Sequence, residues 1–204
     1  MREIEAKFYV SRLEVIRRRA IRLGGQLRAR RHLERNWHFD LPGDPLAERH
    51  SLLRLREDEE TTLAFKHRGR AFESRREHEL RVADSAAAAA LLTALGYRVV
   101  GSYEKYRRVY SLGPVRVMFD ELPFGDFVEV EGPTLQQVKA QAGRLGLAWN
   151  RRVRSTYIDI FSQLRSQYSL RFREAEFDRF AVHPEARADR IGLRDAIRPE
   201  AGDR

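Results

Sequence analysis

Arg2-Glu3-Ile4-Glu5-Ala6-Lys7-Phe8 is the stretch on which the reading of this chain turns. Side chains alternate across a strand, so Glu3, Glu5 and Lys7 share one face while Ile4, Ala6 and Phe8 share the other. Carboxylates two residues apart on a strand lie roughly 7 Å apart, close enough to share a divalent cation. A lysine one step further can hold an anion touching the same cation. One such stretch describes any strand with a solvated face. Its recurrence along the chain is what a solvated face does not explain.

Outward from this strand, the same alternation returns seven times. Strands are expected over 33–40, 51–57, 61–67, 75–82, 99–110, 115–120 and 126–131, separated by turn signals such as Pro42-Gly43-Asp44-Pro45, Gly113-Pro114 and Pro123 to Gly125. Most put charges of both signs in one row and aliphatic or aromatic residues in the other. Arg54 and Arg56 oppose Leu53 and Leu55; Glu129 and Glu131 oppose Val128 and Val130. Four helices are expected. Ser11 with Glu14 reads as a capping box opening a helix to about Leu23, ended by Gly24-Gly25. Asp84 caps Ser85 to Leu95, Thr134 starts a third helix, and a fourth begins near Thr156 with Tyr157, Ile160, Phe161 and Leu164 inward.

The hairpin spacing implies an antiparallel sheet. If the sheet were open, its charged rows would face bulk water. If it closes, they line a tunnel and the apolar rows pack against helices outside. The expected fold is therefore α+β: a closed eight-stranded antiparallel β-barrel with a charged interior. Its bases are Lys7, Arg54, Arg56, Lys66, Arg68, Arg75, Arg81, Lys105, Arg107 and Arg116. Its acids are Glu3, Glu5, Glu77, Glu79, Asp120, Glu129 and Glu131.

Composition bounds the chemistry. The 204 residues contain no cysteine, which excludes disulfides, thiolate metal sites and a cysteine nucleophile. The formal charge is +9, pointing to a polyanionic partner. Lysine occurs only at 7, 66, 105 and 139 against 35 arginines, and three of the four lysines fall on charged strand rows. A lysine ammonium is a compact point charge that reaches a phosphate oxygen without a bulky fork. The longest small apolar run, Ala86 to Leu92, is far too short to span a bilayer, and the first residues read as strand rather than signal peptide, so a cytoplasmic location is expected. Oxygen ligands alone favour Mg²⁺ or Mn²⁺, and a linear triphosphate with metal suits the excess of bases and the paired carboxylates together.

The ordered series Glu3-x-Glu5-x-Lys7, Arg54-x-Arg56, Lys66, Arg75-x-Glu77, Lys105-x-Arg107, Asp120 and Glu129-x-Glu131 resembles the CYTH superfamily, the triphosphate tunnel metalloenzymes. So do Phe119-Asp120-Glu121-Leu122, Gly125 to Glu131 and Thr156-Tyr157-Ile158-Asp159. The spacing is most similar to the class IV adenylate cyclase-like and thiamine triphosphatase-like branch, over residues 1 to about 165. The resemblance implies metal ligands Glu3, Glu5, Asp120, Glu129 and Glu131. It implies phosphate contacts from Lys7, Arg54, Arg56, Lys66, Arg75, Lys105 and Arg107, with Glu5, Lys66 and Glu131 in catalytic roles. Asn36-Trp37-His38 departs from the family's Asp-x-Tyr, and His38 is read as a tunnel-rim residue; the other histidines show no ligand spacing.

The leading expectation is a metal-dependent hydrolase of triphosphates: tripolyphosphate, a nucleoside triphosphate or thiamine triphosphate. An adenylate cyclase releasing pyrophosphate needs the same cradle. A non-catalytic binder of polyphosphate or RNA is the third reading, and the paired carboxylates speak against a nucleic-acid partner. The partner expected is a small-molecule triphosphate; no membrane is expected, and a homodimer stays open. Residues 1–168 are read as the tunnel domain and 169–204 as an extension, partly helical or disordered, frayed from Arg198.

Overall fold

The computed structural model describes residues 2–43, 45, 46, 48, 50–68 and 74–198, without the side chains of residues 2, 3, 68 and 74–76. The roles expected of the Glu3, Arg68 and Arg75 side chains, and the fraying beyond Arg198, lie outside the described residues. The long strands are β1 (Arg2–Val10), β2 (Gln26–Asp40), β3 (Ser51–Glu57), β4 (Thr61–Arg68), β5 (Ser74–Arg81), β6 (Arg98–Leu112), β7 (Val115–Leu122) and β8 (Gly125–Gly132). Two short ones follow, β9 (Arg152–Val153) and β10 (Glu174–Ala175). The helices are α1 (Leu13–Arg22), α2 (Ser85–Ala94), α3 (Leu135–Arg144), α4 (Tyr157–Tyr168) and α5 (Phe177–Phe180).

All ten strands belong to one sheet, in the order β10-β6-β2-β3-β4-β5-β1-β8-β7, with β9 on β1 and a further pairing of β6 with β7. This corrects the expected eight-stranded barrel. The sheet curls until β6 bonds β2 along one edge, and β7 and β10 along the other. It is not closed along its full height. At the seam, among the described residues, β5 meets β1 over three residue pairs, Arg2–Ile4 against Ser74–Arg76, and β9 takes Lys7 and Phe8. Two-residue strands carry no period of their own, so the alternation could not announce them. All pairings are antiparallel except the one between β10 and β6.

The two faces part as the period-two rows require. Phe8, Val117, Val128 and Val130 are fully or almost fully buried against Ile16 and Ala20 of α1 and Val138 and Ala142 of α3. Phe39, Leu53 and Leu55 pack with Leu92 of α2. Burying such side chains contributes roughly 1.5–3 kcal/mol each, which is what holds the helices on the outer face. The inner face is left to charge. Gly101 on β6 lets α4 lie close: an added Cβ would stand 3.1 Å from Ile158 Cδ1.

Three helix starts match the reading. Asp84 accepts from the backbone N–H groups of Ala86 and Ala87, Thr134 from Gln137, and Thr156 with Asp159 completes a capping box. The first helix does not: Arg12 holds its N-cap position with no side-chain cap, and Ser11 instead donates to Asp195. The carboxylate brought by the tail competes with the helix end for that hydroxyl. Strand β2 starts at Gln26 rather than 33, because pairing with β6 carries it through an arginine-rich stretch that lacks apolar alternation.

Residues 169–198 pack onto the same body. Leu170, Ala175, Phe180, Ala186 and Ala188 join Tyr103, Phe124, Phe127, Tyr157 and Phe161 in one buried cluster. The Ala196 N–H donates to the Tyr9 carbonyl of β1 at 2.9 Å, and Leu147 bridges Ile197. Among the described residues no helix is long and apolar enough to cross a membrane.

Candidate functional site

A cavity of about 470 Å³ opens inside the curled sheet. Among the described residues seven cations line it: Lys7, Arg54, Arg56, Lys66, Lys105, Arg107 and Arg116. Five carboxylates join them: Glu5, Glu77, Glu79, Glu129 and Glu131. The charged rows read from the sequence therefore converge. Register explains how. Glu5 stands opposite Glu131, Lys7 opposite Glu129, and Arg116 opposite Glu131 on the far side of β8. Lys66 pairs with Glu77 on β5, and Arg54 on β3 faces His38 on β2.

Two expected members of the inner row sit elsewhere. Arg81 is exposed and bridges Glu60 at 2.9 Å, because β5 leaves the cavity at that end. Asp120 is completely buried and does not line the cavity. It lies behind the bases, accepting from Lys105 Nζ at 3.1 Å, Arg107 Nε at 2.7 Å and the Tyr157 hydroxyl at 3.0 Å.

Buried charge needs partners, because stripping water from an ion costs several kcal/mol. Lys105, 1% exposed, lies 3.1 Å from both Glu34 and Asp120. Arg107 reaches Asp120, Glu129 and Glu34. Burial pushes the Lys105 ammonium and the Arg107 guanidinium towards the neutral form, but Asp120, Glu34 and Glu129 more than offset it and hold both above their usual ranges. Glu129 is driven far down despite its burial, by Arg107, Lys7 and Lys105. Glu131 goes the other way: burial and the nearby Glu5 raise it, against the pull of Arg116. Lys7 bridges Glu129 at 3.5 Å and lies 3.7 Å over the Tyr157 ring, while Lys66 bridges Glu77 at 2.8 Å.

Strand β2 brings more to the interior than the sequence reading assigned to it. Glu34, Asn36 and His38 alternate inward and are all buried. The period-two signal that singled out β1 marks them as well. His38 is not a rim residue. Burial, then Arg54, Lys7 and Lys66, push its pKa down to about 3, so the ring is neutral. Its Nε2, both amide atoms of Asn36 and the Nε of Arg54 are buried with no hydrogen-bond partner among the described residues. His32 is likewise not without ligand spacing: it groups with Glu34 and Asp58, their ligand atoms within 4.8 Å of one another. That group differs from the five carboxylates expected to hold metal, and Lys105, Arg107 and Arg56 already pair with its acids.

The expected metal ligands fit a cation to different degrees. Glu5 and Glu131 are like charges directly opposite on adjacent strands, at a cavity wall, with the proton affinity of Glu131 raised. Such a pair is destabilising by itself and suited to a divalent ion, as is Glu129 on the same row. Asp120 is fully engaged by Lys105, Arg107 and Tyr157.

A model of the CYTH domain matches residues 1–157. No curated protein matches the chain. Among solved structures, a candidate adenylate cyclase from Vibrio parahaemolyticus is similar at 22% identity and a TM-score of 0.70, over 78% of this chain and 97% of that one. The PH1012 protein from Pyrococcus horikoshii is similar at 28% identity and 0.69, over 77% and 98%. A candidate adenylyl cyclase from Hippeastrum, described as showing a dominant triphosphatase activity, is similar at 18% identity and 0.56, over 79% and 95%.

Proposed function

The chain belongs to the CYTH domain family, and from that premise we propose that it is a divalent-metal-dependent hydrolase of triphosphates. The observation that carries this reading is the gathering of Lys7, Arg54, Arg56, Lys66, Lys105 and Arg107 around one cavity that also presents Glu5, Glu129 and Glu131. A linear triphosphate offers several anionic oxygens in a row, and a row of cations on opposing walls matches it. Glu5, Glu129 and Glu131 would hold Mg²⁺ or Mn²⁺, which when bound neutralises phosphoryl oxygens. Asp120, in this proposal, is a positioning residue that fixes Lys105 and Arg107 against the phosphates. We assign Arg54 and Arg56 to the opposite wall.

In the reaction, water oxygen bonds the terminal phosphorus as the bond to the bridging oxygen breaks. The water proton passes to the Glu131 carboxylate oxygen that the cation leaves free. Charge on the departing oxygen is met by the Lys66 ammonium. Glu5 completes the acidic wall opposite.

The test is a substrate panel of tripolyphosphate, ATP and thiamine triphosphate with Mg²⁺ and Mn²⁺, measuring phosphate, pyrophosphate and cyclic AMP. Phosphate release that vanishes in Glu5→Ala, with the melting curve retained, supports the reading. Cyclic AMP as the main product from ATP overturns it in favour of a cyclase.

A further inference from the structure

Tyr157, the first residue of α4, is carried by a helix rather than a strand and still lines the charged cavity. We propose that it is a positioning residue for the cations of that cavity: its ring fixes Lys7, and its hydroxyl, through Asp120, fixes Lys105 and Arg107. The proposal rests on reading the cavity as a cradle for phosphates.

The two sets of cations come from separate strands. Lys7 stands on β1, Lys105 and Arg107 stand on β6, and β8 and β7 run between them. Tyr157 touches both sets. The Lys7 ammonium lies 3.7 Å from the centre of its ring, and that of Lys105 lies 5.5 Å away. The hydroxyl donates to Asp120 Oδ2 at 3.0 Å, and the same oxygen accepts from Lys105 Nζ at 3.1 Å. An ammonium is drawn to the negative face of a ring, and more strongly where water is scarce; Lys7 is 8% exposed. Glu129 bridges Lys7 as well, but it shares its carboxylate with Arg107. Lys7 also donates to the Ser155 carbonyl at 3.5 Å, so the approach to α4 and its first residue hold one ammonium together.

A buried aromatic serves packing first, and the Tyr157 ring packs edge-on against Tyr103 and Phe127, with centroids 5.5 and 5.1 Å away. Phenylalanine would fill that place as well. The hydroxyl is what packing does not call for. A buried O–H must find an acceptor, and this one finds a carboxylate that already serves two bases. Burial, with the Asp120 and Glu129 carboxylates, raises the phenol well above its ordinary range, so it stays a donor. The ring is also held from behind. Thr156 and Asp159 close a capping box on the first turn of α4, and Ile160, Phe161 and Leu164 are buried with Leu170 and Phe180 of the tail.

Two measurements test this without turnover. The chain has four lysines, at 7, 66, 105 and 139, so protein labelled with ¹³C-lysine gives a spectrum in which Lys7→Arg identifies the Lys7 signal. Ring current is expected to shift the Lys7 ε-methylene protons upfield of those of exposed Lys139, with the shift kept in Tyr157→Phe and lost in Tyr157→Leu. A Lys7 signal that coincides with Lys139 in the wild type overturns the proposal. Titration calorimetry then uses a methylene-bridged, non-hydrolysable tripolyphosphate analogue in Mg²⁺. Tyr157→Phe is expected to weaken binding about threefold or more. Tyr157→Leu is expected to weaken it about tenfold further. With Lys7→Met in both, the difference between Phe and Leu should shrink to within about twofold. A difference that persists without Lys7, or Tyr157→Phe binding like the wild type, overturns the proposal. If Tyr157→Leu fails to fold, the wild-type Lys7 signal and the Tyr157→Phe affinity still decide. Failure of the wild type to bind the analogue would sink the triphosphate reading, and the Lys7 signal would still decide the role of the ring.

Discussion

Glu5 and Glu131 face each other across adjacent strands, and Glu131 is partly buried with its proton affinity raised. Deprotonation of Glu131 is therefore harder in the fold than in the unfolded chain, so it withdraws stability as pH rises above the ordinary carboxylate range. Glu131→Gln should melt a few degrees higher at neutral pH without metal, roughly 2–4 °C for about 1 kcal/mol, while losing turnover and the stabilisation that Mg²⁺ gives the wild type. Differential scanning fluorimetry with and without Mg²⁺ reads both. His38 has the opposite profile. The unfolded chain takes up a proton near pH 6.5, whereas the buried ring waits until about 3, so stability declines as pH falls below 6.5. His38→Gln should flatten that decline by roughly 1 kcal/mol between about pH 6.5 and 5.5, measured by urea denaturation at both values. Asp120 holds two buried bases in place. Asp120→Asn should cost about 3–5 kcal/mol and raise KM for tripolyphosphate, because Lys105 and Arg107 keep their charge and lose its main partner. The row Glu5, Lys7, Glu129, Glu131 was legible because alternation alone sorts it to one face. Glu34 obeys the same alternation without having been singled out, and His38 was read as a rim residue because nothing local shows that a histidine is buried.

At the level of elements, the long strands and the capped helices were readable because each rests on a local signal. Asp84, Thr134 and Thr156 sit where an orphan helix N–H must be met, and they meet it. Ser11 has the same chemistry and goes to Asp195, almost the whole chain away, a choice no local window contains. The tail shows the same limit. Its aromatics lack a steady period, yet β10 bonds β6 in parallel and Phe180 packs against Phe124, Phe161 and Phe172. If that packing is integral, Phe180→Ala should destabilise the whole molecule by about 3–5 kcal/mol in a single unfolding transition. A separate early transition, with the remainder unmoved, would mean that the tail is only an attachment.

For the whole molecule, curling the sheet sets charges of both signs against one another inside and apolar rows against helices outside. Capture of a polyanion by such an interior weakens as salt screens it. Turnover efficiency (kcat/KM) for tripolyphosphate should fall tenfold or more between about 0.05 and 0.5 M NaCl, mostly through KM. The strand count and the incomplete seam were not readable in advance, since they depend on which edges meet after the sheet has curled. The pairing of β1 carries one more consequence. Its main partner, β8, arrives more than a hundred residues later in translation, and the Ala196 N–H that bonds Tyr9 arrives later still. A nascent chain leaving the ribosome therefore displays an unpaired, half-apolar edge for most of its synthesis. Folding of this chain is therefore expected to be limited by the long-range closure of its first strand onto β8.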